Sequence, residues 1–364
     1  MNASQASISL IEQIGFLCAP PGAGWATSRS GEAPLAVAFH AAAFESTEPA
    51  IVRARWLADM ATNPLPQVGI IGVPYDGGTY GLAGAAAGPL GVRSALGGSG
   101  WREMRATCLD MGDVRFFPGP PLDEMLAVNV TRHTRAVRYG DPAIELPICM
   151  LSAHRSLICA AAAAEMRVVS IGGDHSISAS ALMGINRNDI GLIHVDQHPD
   201  LSTGRDGLEL LHSSWIHYVD QRVRLPLVVQ LGVTTSAVPV WIESRLKRIP
   251  ILRPAVDPSA DANKAADWLA AAGVHHAYLS IDIDSVDAIE APATGLPSPG
   301  GLPLDYLIPF IRAIAQRMSI IGGDVVEISP PLSGRREWAH EPTCVSGSKL
   351  VMSLITALAP TVLT

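Results

Sequence analysis

The fold of this chain is constrained most by a series of short, uninterrupted apolar runs. Gly- or Asp-rich turns and Ala-rich stretches separate them. Continuous Val/Ile/Leu runs are typical of strands buried on both faces of a parallel sheet. Six such runs lie at 68–73, 167–171, 192–195, 227–231, 277–283 and 320–328. The stretches 156–166 and 260–272 are typical of crossover helices, and 347–358 is predicted to be the last helix. The sequence therefore predicts an α/β fold, a single-domain doubly wound and mostly parallel sheet, with sites beyond the carboxyl ends of its strands.

The first 66 residues differ in composition from the rest of the chain. They are rich in Ala, Ser and Pro, and PPGAGWATSRSGEAP at 20–34 indicates an irregular segment. A short helix is predicted at 51–60, ended by Asn63-Pro64-Leu65-Pro66. We therefore expect an N-terminal arm at 1–66, which would serve assembly or border a neighbour's pocket, and a catalytic domain at 67–364.

Charge and composition exclude several classes of partner. The 364 residues include 26 Lys and Arg against 34 Asp and Glu, a net charge of −8 without any basic run. Nucleic acid and anionic membrane partners are therefore not expected. Apolar stretches break well short of the roughly 18 residues that span a bilayer, and the first residues lack a positively charged leader region. Five scattered cysteines favour a reducing compartment, so we expect a cytoplasmic protein.

Three of the predicted strands end in residues that commonly bind metals. The segments are SIGGDHS at 170–176, HVDQHPD at 194–200 and SIDIDSVD at 280–287. Alternate residues of an extended chain point the same way, so we expect their acidic and imidazole groups to converge. The predicted metal ligands are His175, Asp196, His198, Asp200, Asp282 and Asp284.

Four buried carboxylates require compensating positive charge. Burying an ionised group without a partner costs several kcal/mol or more. Two divalent cations about 3.5–4 Å apart would supply that charge and would suit mixed oxygen and nitrogen ligands. The oxygen-rich set favours Mn²⁺, and Ni²⁺ is the alternative.

These motifs resemble those of the ureohydrolases, the family of arginase and agmatinase. GGDHS at 172–176 is identical to a family motif, DQHPD at 196–200 is similar to D-A-H-x-D, and SIDIDSVD is similar to S-x-D-x-D-x-x-D. GVPYDGGTYGLAGAAAGPLGVR at 72–93 resembles the family's early Gly-rich segment. The resemblance covers about four-fifths of the chain, from Val68 to its end.

The resemblance implies an assignment of ligands to two metal ions. His175 and Asp200 would bind one ion, His198 and Asp284 would bind the other, and Asp196 and Asp282 would bridge both. Asp200 is thereby expected to contribute to catalysis through the ion that it binds.

The resemblance also implies roles for two further residues. Glu327, in VVEISP, would bind the guanidinium of the substrate, and two parallel hydrogen bonds would orient it. His212 would carry a proton to the leaving amine, although Ser213 follows it where relatives commonly have Gly. His217 is the competing candidate for that role.

The chain also departs from the family pattern around the expected pocket. Ser202, and GVTT at 232–235, stand where relatives that bind an α-amino acid have Asn and Gly-x-Arg-Asp, which makes arginine a poor substrate. Pro199 and Ser213 are expected to reshape the pocket. Trp215 is predicted either to stack on a cationic substrate or to pack its loop against the core.

The other histidines near the motifs are not predicted to bind metal. We expect His194 to support the site from behind or to pack. The pair His275-His276 resembles paired histidines of zinc deacetylases on a related fold, but the other motifs argue against that class.

Three functions remain open at this point. The first is an agmatinase-like hydrolase that cleaves a C–N bond of a small guanidino compound and releases an amine and urea or a substituted urea. The second is a hydrolase of a compact guanidine or biguanide, Ni²⁺-dependent and assembled with a homologous subunit. The third is a non-catalytic subunit of such a complex. A homo-oligomer, trimer or hexamer, is expected otherwise, and a dinucleotide-binding dehydrogenase is excluded because no Gly-x-Gly-x-x-Gly follows a strand.

Overall fold

A single sheet organises the chain. The structure, a computed structural model, describes residues 3–23, 33–61, 64–115, 120–234 and 249–359. In these residues nine strands form one sheet in the order β1-β3-β2-β4-β9-β8-β5-β6-β7. All neighbours pair in parallel except β1, which is antiparallel to β3. The strands are β1 Cys18–Ala19, β2 Val68–Gly72, β3 Leu109–Val114, β4 Arg167–Ile171, β5 Ile190–Val195, β6 Val228–Leu231, β7 Ile251–Leu252, β8 His276–Asp282 and β9 Ser319–Val326.

Helices connect the strands and cover both faces of the sheet. They are α1 Ala3–Leu17, α2 Ala33–Phe44, α3 Pro49–Asp59, α4 Gly88–Arg105, α5 Val128–Tyr139, α6 Met150–Ala163, α7 Ile177–Ile185, α8 Trp215–Val223, α9 Pro258–Ala271, α10 Leu304–Arg317 and α11 Pro342–Leu358. One group is formed by α1, α6, α7 and α8, and the other by α2, α4, α9, α10 and α11. Every residue of β2, β3, β5 and β6 is buried, so both faces of the sheet are covered. The predicted doubly wound α/β fold is confirmed.

The six predicted strands are all present, each within about two residues of its expected bounds, but the two-residue strands β1 and β7 were missed, and so was the longer β3. Its sequence, LDMGDV, contains two aspartates and a glycine, so it does not read as an apolar run. Arg93 on α4 is fully buried and pairs with Asp110 at 2.8 Å and Asp113 at 2.5 Å. This ion-pair network compensates the two carboxylates and allows a charged segment to lie inside the sheet.

The N-terminal 66 residues are more regular than expected. Residues 3–17 and 33–44 are helical, Leu10, Ile14 and Leu17 are fully buried, and β1 extends the sheet. The amide of Gly22 donates to Asp113 Oδ2 at 2.7 Å. Of the segment predicted to be irregular, 20–34, only 20–23 and 33–34 are described, and 33–34 already belong to α2. Residues 24–32 and Asn63 lie outside the described residues, and the domain boundary at 66–67 stays a prediction.

The helix predictions hold with shifted ends. The predicted 51–60 and 260–272 are observed as α3 and α9, while α6 begins six residues before the expected 156. The last helix, α11, begins at Pro342 rather than at 347 because Glu341 caps it, accepting from the amide of Cys344 at 2.8 Å. Within the described ranges, no helix combines the length and apolarity that crossing a membrane requires.

Candidate metal centre

The predicted metal ligands end or follow three strands, and Glu327 follows a fourth strand that lies among them. The order β4-β9-β8-β5 lies at the middle of the sheet. His175 follows β4, Asp196 and His198 follow β5, and Asp282 ends β8. Strand β9, between β4 and β8, is followed by Glu327. Sheet order thus brings together groups that are up to 152 residues apart in the chain.

One cluster surrounds the ring of His175. Its Nδ1 lies 3.2 Å from Asp196 Oδ2 and 3.0 Å from Asp200 Oδ2. Asp282 Oδ2 lies 3.1 Å from the same nitrogen. Three carboxylates therefore meet at one imidazole nitrogen.

A second cluster shares Asp196 with the first. His198 Nδ1 lies 3.4 Å from Asp196 Oδ1 and 3.0 Å from Asp284 Oδ2. Asp284 is carried by a short 3₁₀ turn, Ile283–Ser285, and its amide donates to Asp282 Oδ1 at 2.8 Å. Asp196 thus contacts both imidazoles, while Asp282 contacts His175 and the amide of Asp284.

The carboxylates of the two clusters outnumber the positively charged groups beside them. Burial and then the charges of Asp284 and Asp196 raise the pKa of Asp282 well above its usual range. Burial and Asp196 likewise raise the pKa of Asp284 to about 7. Hydrogen bonds that His198 donates to Asp196 and Asp284 raise the pKa of His198 to about 11. Protons therefore neutralise part of the negative charge in the described residues, a role that bound cations would take over.

Several buried polar atoms support a metal site. Asp196 Oδ2, Asp284 Oδ1 and His194 Nε2 are buried, and none of them has a hydrogen-bond partner among the described residues. Unsatisfied buried polar atoms are rare and costly. Groups of ligand atoms within 4.8 Å of one another could hold a metal ion at two places, one around His175 and one around His198. The residues fit two divalent cations, with carboxylate and imidazole donors suited to Mn²⁺ or Ni²⁺.

His194 contacts this cluster, in line with the first of its two expected roles, support of the site from behind. Its Nε2 lies 3.0 Å from Asp196 Oδ2, and its side chain is fully buried. Gln230 on β6 lies behind it, with Nε2 3.2 Å from His194 Nδ1 and 2.8 Å from the carbonyl oxygen of Pro199. With Gln230 as donor, His194 Nδ1 accepts and Nε2 carries the hydrogen, although the contact between Nε2 and Asp196 Oδ2 lacks hydrogen-bond geometry. The signal in the sequence was the spacing of His194 from Asp196 at a strand end.

The residues converge for a different reason than expected. The alternation argument is wrong because 196–200 and 283–285 are turns, not extended chain. The amide of His198 donates to Asp196 Oδ1 at 2.6 Å, and Asp200 has a positive φ of 49°. Glu327 also has a positive φ, 63°. Non-glycine residues in this conformation are strained and cluster at functional sites.

The Gly-rich segment after β2 packs directly onto the site. The amide of Gly78 donates to Asp174 Oδ2 at 2.6 Å, and its carbonyl oxygen accepts from the amide of His212 at 3.0 Å. A Cβ at Gly78 would lie 2.6 Å from Ser176 Oγ. Only glycine allows this close approach, so the segment forms one wall beside the GGDHS loop.

A cavity of about 470 Å³ opens above the clusters. Among its lining residues are His198, Asp200, Glu327 and His212. Glu327 Oε1 accepts from the amide of His175 at 2.9 Å and lies 3.5 Å from His212 Nδ1. Burial acts to lower the pKa of His212, but the hydrogen bond and charge of Glu327 outweigh it and raise the pKa.

Trp215 does not face the cavity, which corrects its predicted contact with substrate. Its side chain is 0% exposed and is not among the residues that line the cavity. Its Nε1 donates to Asp200 Oδ2 at 3.0 Å, and its ring stacks on His175 with centroids 4.8 Å apart. The alternative of packing is correct, and the contacts are with two predicted metal ligands.

The other histidines lie away from the cavity. His217, on α8, is absent from the described residues that line it. His276 begins β8 and therefore lies at the strand end opposite to Asp282. The structure thus brings together all six predicted metal ligands with His212 and Glu327, and leaves His217, His275 and His276 outside.

The fold and this cluster define an α/β protein with a site suited to two divalent metal ions. The family model for the arginase family matches residues 66–356. The chain therefore belongs to the arginase family. Members of this family depend on a binuclear metal centre.

The chain is similar to several proteins named as amidinohydrolases, guanidinopropionases or agmatinases. The chain is 28% identical to proclavaminate amidinohydrolase of Streptomyces clavuligerus over 74% of this chain and 83% of that protein. It is 27% identical to guanidinopropionase of Pseudomonas aeruginosa over 80% and 87% of the two chains. Agmatinase of Photorhabdus laumondii is also 27% identical, over 79% and 85%.

Solved structures share the fold. The structure of the Streptomyces clavuligerus enzyme superposes with a TM-score of 0.60 at 24% identity, covering 81% of this chain and 95% of the other. Arginase from Medicago truncatula superposes with a TM-score of 0.59 at 20% identity, covering 92% and 98%. With the family established, the chain is a hydrolase of C–N bonds in linear amidines, of the ureohydrolase class.

Proposed function

We propose that this protein hydrolyses a C–N bond of a small guanidino compound and releases an amine and urea or a substituted urea. The observation that carries the proposal is the convergence of four carboxylates and two imidazoles below a cavity walled by Glu327 and His212. The agmatinase-like relatives support the guanidino class of substrate.

The proposed metal ligands are those predicted from the motifs. His175 and Asp200 would hold one ion, His198 and Asp284 the other, and Asp196 would bridge them together with Asp282. Divalent cations at such a site lower the pKa of water towards neutrality and thereby supply the nucleophile. Mn²⁺ is proposed first because oxygen donors predominate, and Ni²⁺ second.

Glu327 and His212 would act on the substrate itself. The Glu327 carboxylate lines the cavity and would accept hydrogen bonds from the planar guanidinium, which orients the central carbon towards the metal centre. His212 Nε2 is buried without a hydrogen-bond partner among the described residues, and its ring also lines the cavity. Because Glu327 raises the pKa of His212, the ring is ready to donate a proton to the leaving amine.

A compact guanidine or biguanide substrate is the second candidate. Pro199 and Ser213, which depart from the family pattern, both line the cavity. A non-catalytic subunit is disfavoured because all six proposed ligands converge.

We also propose a homo-oligomer, or a hetero-oligomer with a homologous subunit, to be tested by light scattering. A cytoplasmic location is proposed because all five cysteines are free thiols.

Mass spectrometry of products tests the proposed reaction. Protein loaded separately with Mn²⁺ and Ni²⁺ is mixed with agmatine, guanidinobutyrate, guanidine, arginine and dimethylbiguanide. We expect an amine and urea, or a substituted urea, from at least one of them. Absence of turnover of every compound with two metals bound per chain would refute the proposal.

A further inference from the structure

The mouth of the cavity is apolar, which the proposed reaction at the metal centre does not require. Leu82 and Leu296 both line the cavity, and their side chains are 62% and 61% exposed. Pro199 and Leu201 add further apolar lining. A ligand that covers such surface gains from removing it from water. The mouth is therefore suited to an apolar group.

The position of Leu296 is held by the loop that carries metal ligands. Gln197 lies between Asp196 and His198, and its Nε2 donates to the carbonyl oxygen of Leu296 at 2.5 Å. Ser298 Oγ donates to the Oε1 of the same Gln197. The apolar mouth and the metal centre are thus joined by the side chain of Gln197.

The described lining offers no ion-pair partner for a charged tail; outside the metal ligands, His212 and Glu327, its polar side chains are the hydroxyl-bearing Thr79, Tyr80, Ser202, Ser213 and Thr294. It contains no Lys or Arg that would receive a carboxylate. Its acidic side chains are Glu327 and three proposed metal ligands, which the guanidinium and the cations engage. An ammonium tail would therefore also lack an ion-pair partner there, and a charged group without one loses hydration on binding that hydroxyl groups replace only in part.

Arg205, next to this mouth, is a cationic side chain that could bind a carboxylate tail of the substrate. Its guanidinium carbon lies 4.8 Å from the centroid of the Tyr80 ring, and Tyr80 lines the cavity. Its Nε lies 3.5 Å from Asp206 Oδ2, so its charge already has an aromatic and a carboxylate partner. A carboxylate tail would have to compete with both.

We propose that the substrate is a guanidine whose nitrogen carries an uncharged alkyl chain, selected by contact with Leu82 and Leu296. The inference rests on the proposed function and names its substrate class. Water adds to the central carbon, the bond to the alkyl-bearing nitrogen breaks, and that nitrogen takes up a proton. One alkylguanidine and one water thus give one alkylamine and one urea.

Matched substrates test the tail and keep the reacting group constant. Pentylguanidine differs from agmatine by a methyl group in place of the ammonium, and 4-methylpentylguanidine differs from guanidinobutyrate by an isopropyl group in place of the carboxylate. We expect kcat/KM to be about tenfold higher or more for each uncharged member, because one methylene in an apolar pocket is worth about that factor.

The outcomes separate the inference from the proposed function. Turnover of the charged members at equal or higher kcat/KM would overturn the apolar tail and leave guanidino hydrolysis standing. Failure to hydrolyse any of the four would overturn the apolar tail, and it would overturn the proposed function as well only if guanidine, arginine and dimethylbiguanide also resisted hydrolysis.

Variants at the mouth give a second test. Leu82→Asp and Leu296→Asp place a carboxylate where an ammonium tail would lie, so the preference for pentylguanidine over agmatine should fall about tenfold. Leu82→Asn and Leu296→Asn control for shape, and Val256→Asp, at a site that is 103% exposed and does not line the cavity, controls for charge.

Metal content and molar mass are measured on the same samples. We expect both to match the unmodified protein while the preference changes only in the two Asp variants at the mouth. An unchanged preference would overturn the inference. An unchanged preference with a lower molar mass would do so as well, and would assign the two leucines to contact with a second copy of the chain.

Discussion

Replacing Trp215 with Phe tests whether this residue acts on the metal centre or on the substrate. The substitution removes the hydrogen bond from Nε1 to Asp200 Oδ2, 3.0 Å long in a fully buried environment, and keeps an aromatic ring beside His175. A hydrogen bond to a charged group contributes about 1.5–3 kcal/mol. Loss of such support for a ligand lowers metal affinity about 10- to 100-fold, which is about 1.4–2.7 kcal/mol. The two magnitudes agree.

Chelator competition measures the metal affinity of Trp215→Phe, and steady-state kinetics at saturating metal measure its substrate use. We expect weaker metal binding and a nearly unchanged KM once the metals are bound. Trp338→Phe is the matched control, because Trp338 is also buried but its Nε1 has no hydrogen-bond partner in the described part of the chain. Unchanged metal affinity with a raised KM would refute the assignment and place Trp215 on the substrate.

Three further predictions concern single side chains. Asp196→Asn should remove both metal and activity, because a neutral bridge leaves the cations less compensated, and normal metal content by elemental analysis would contradict the assigned ligands. Glu327→Gln should keep metal content and lower kcat/KM about 100-fold or more, since one partner of a charged hydrogen-bonded pair is lost; loss of metal would show that Glu327 is a ligand. Burial lowers the pKa of His154 to about 3, so the unfolded state takes up one more proton below pH 6.5. The free energy of unfolding should therefore fall by about 1.4 kcal/mol per pH unit as pH drops towards 3, and His154→Gln should lessen this slope in urea titrations.

Much of the fold is readable in the sequence because strands buried on both faces need continuous apolar runs. Runs such as 167–171 and the Val/Ile/Leu segment before Asp196 identified their strands by composition alone. β3 escaped because Asp110 and Asp113 are tolerated inside the sheet only when Arg93 is packed beside them. A partner that comes from a distant helix leaves no local signal.

The metal-ligand motifs could likewise be recognised in the sequence, because Asp and His at several strand ends form an unusual combination of residue types. The reason why these residues converge could not be predicted from the sequence. Turns at 196–200 and 283–285, rather than extended chain, direct the side chains. Local hydrogen bonds, such as that from the amide of His198 to Asp196, set those turns.

The sequence by itself determined which residues can bind metal and which segments form strands, because both depend on residue type and short-range pattern. Only the tertiary structure decided which strand lies beside which, and so placed Glu327 between the motifs of β4 and β8. It also turned Trp215 towards Asp200 and His194 towards Asp196, and left Leu82 exposed at the cavity mouth. The physical reason is that these contacts join residues far apart in the chain, and the direction of a side chain is chosen by the neighbours that pack against it.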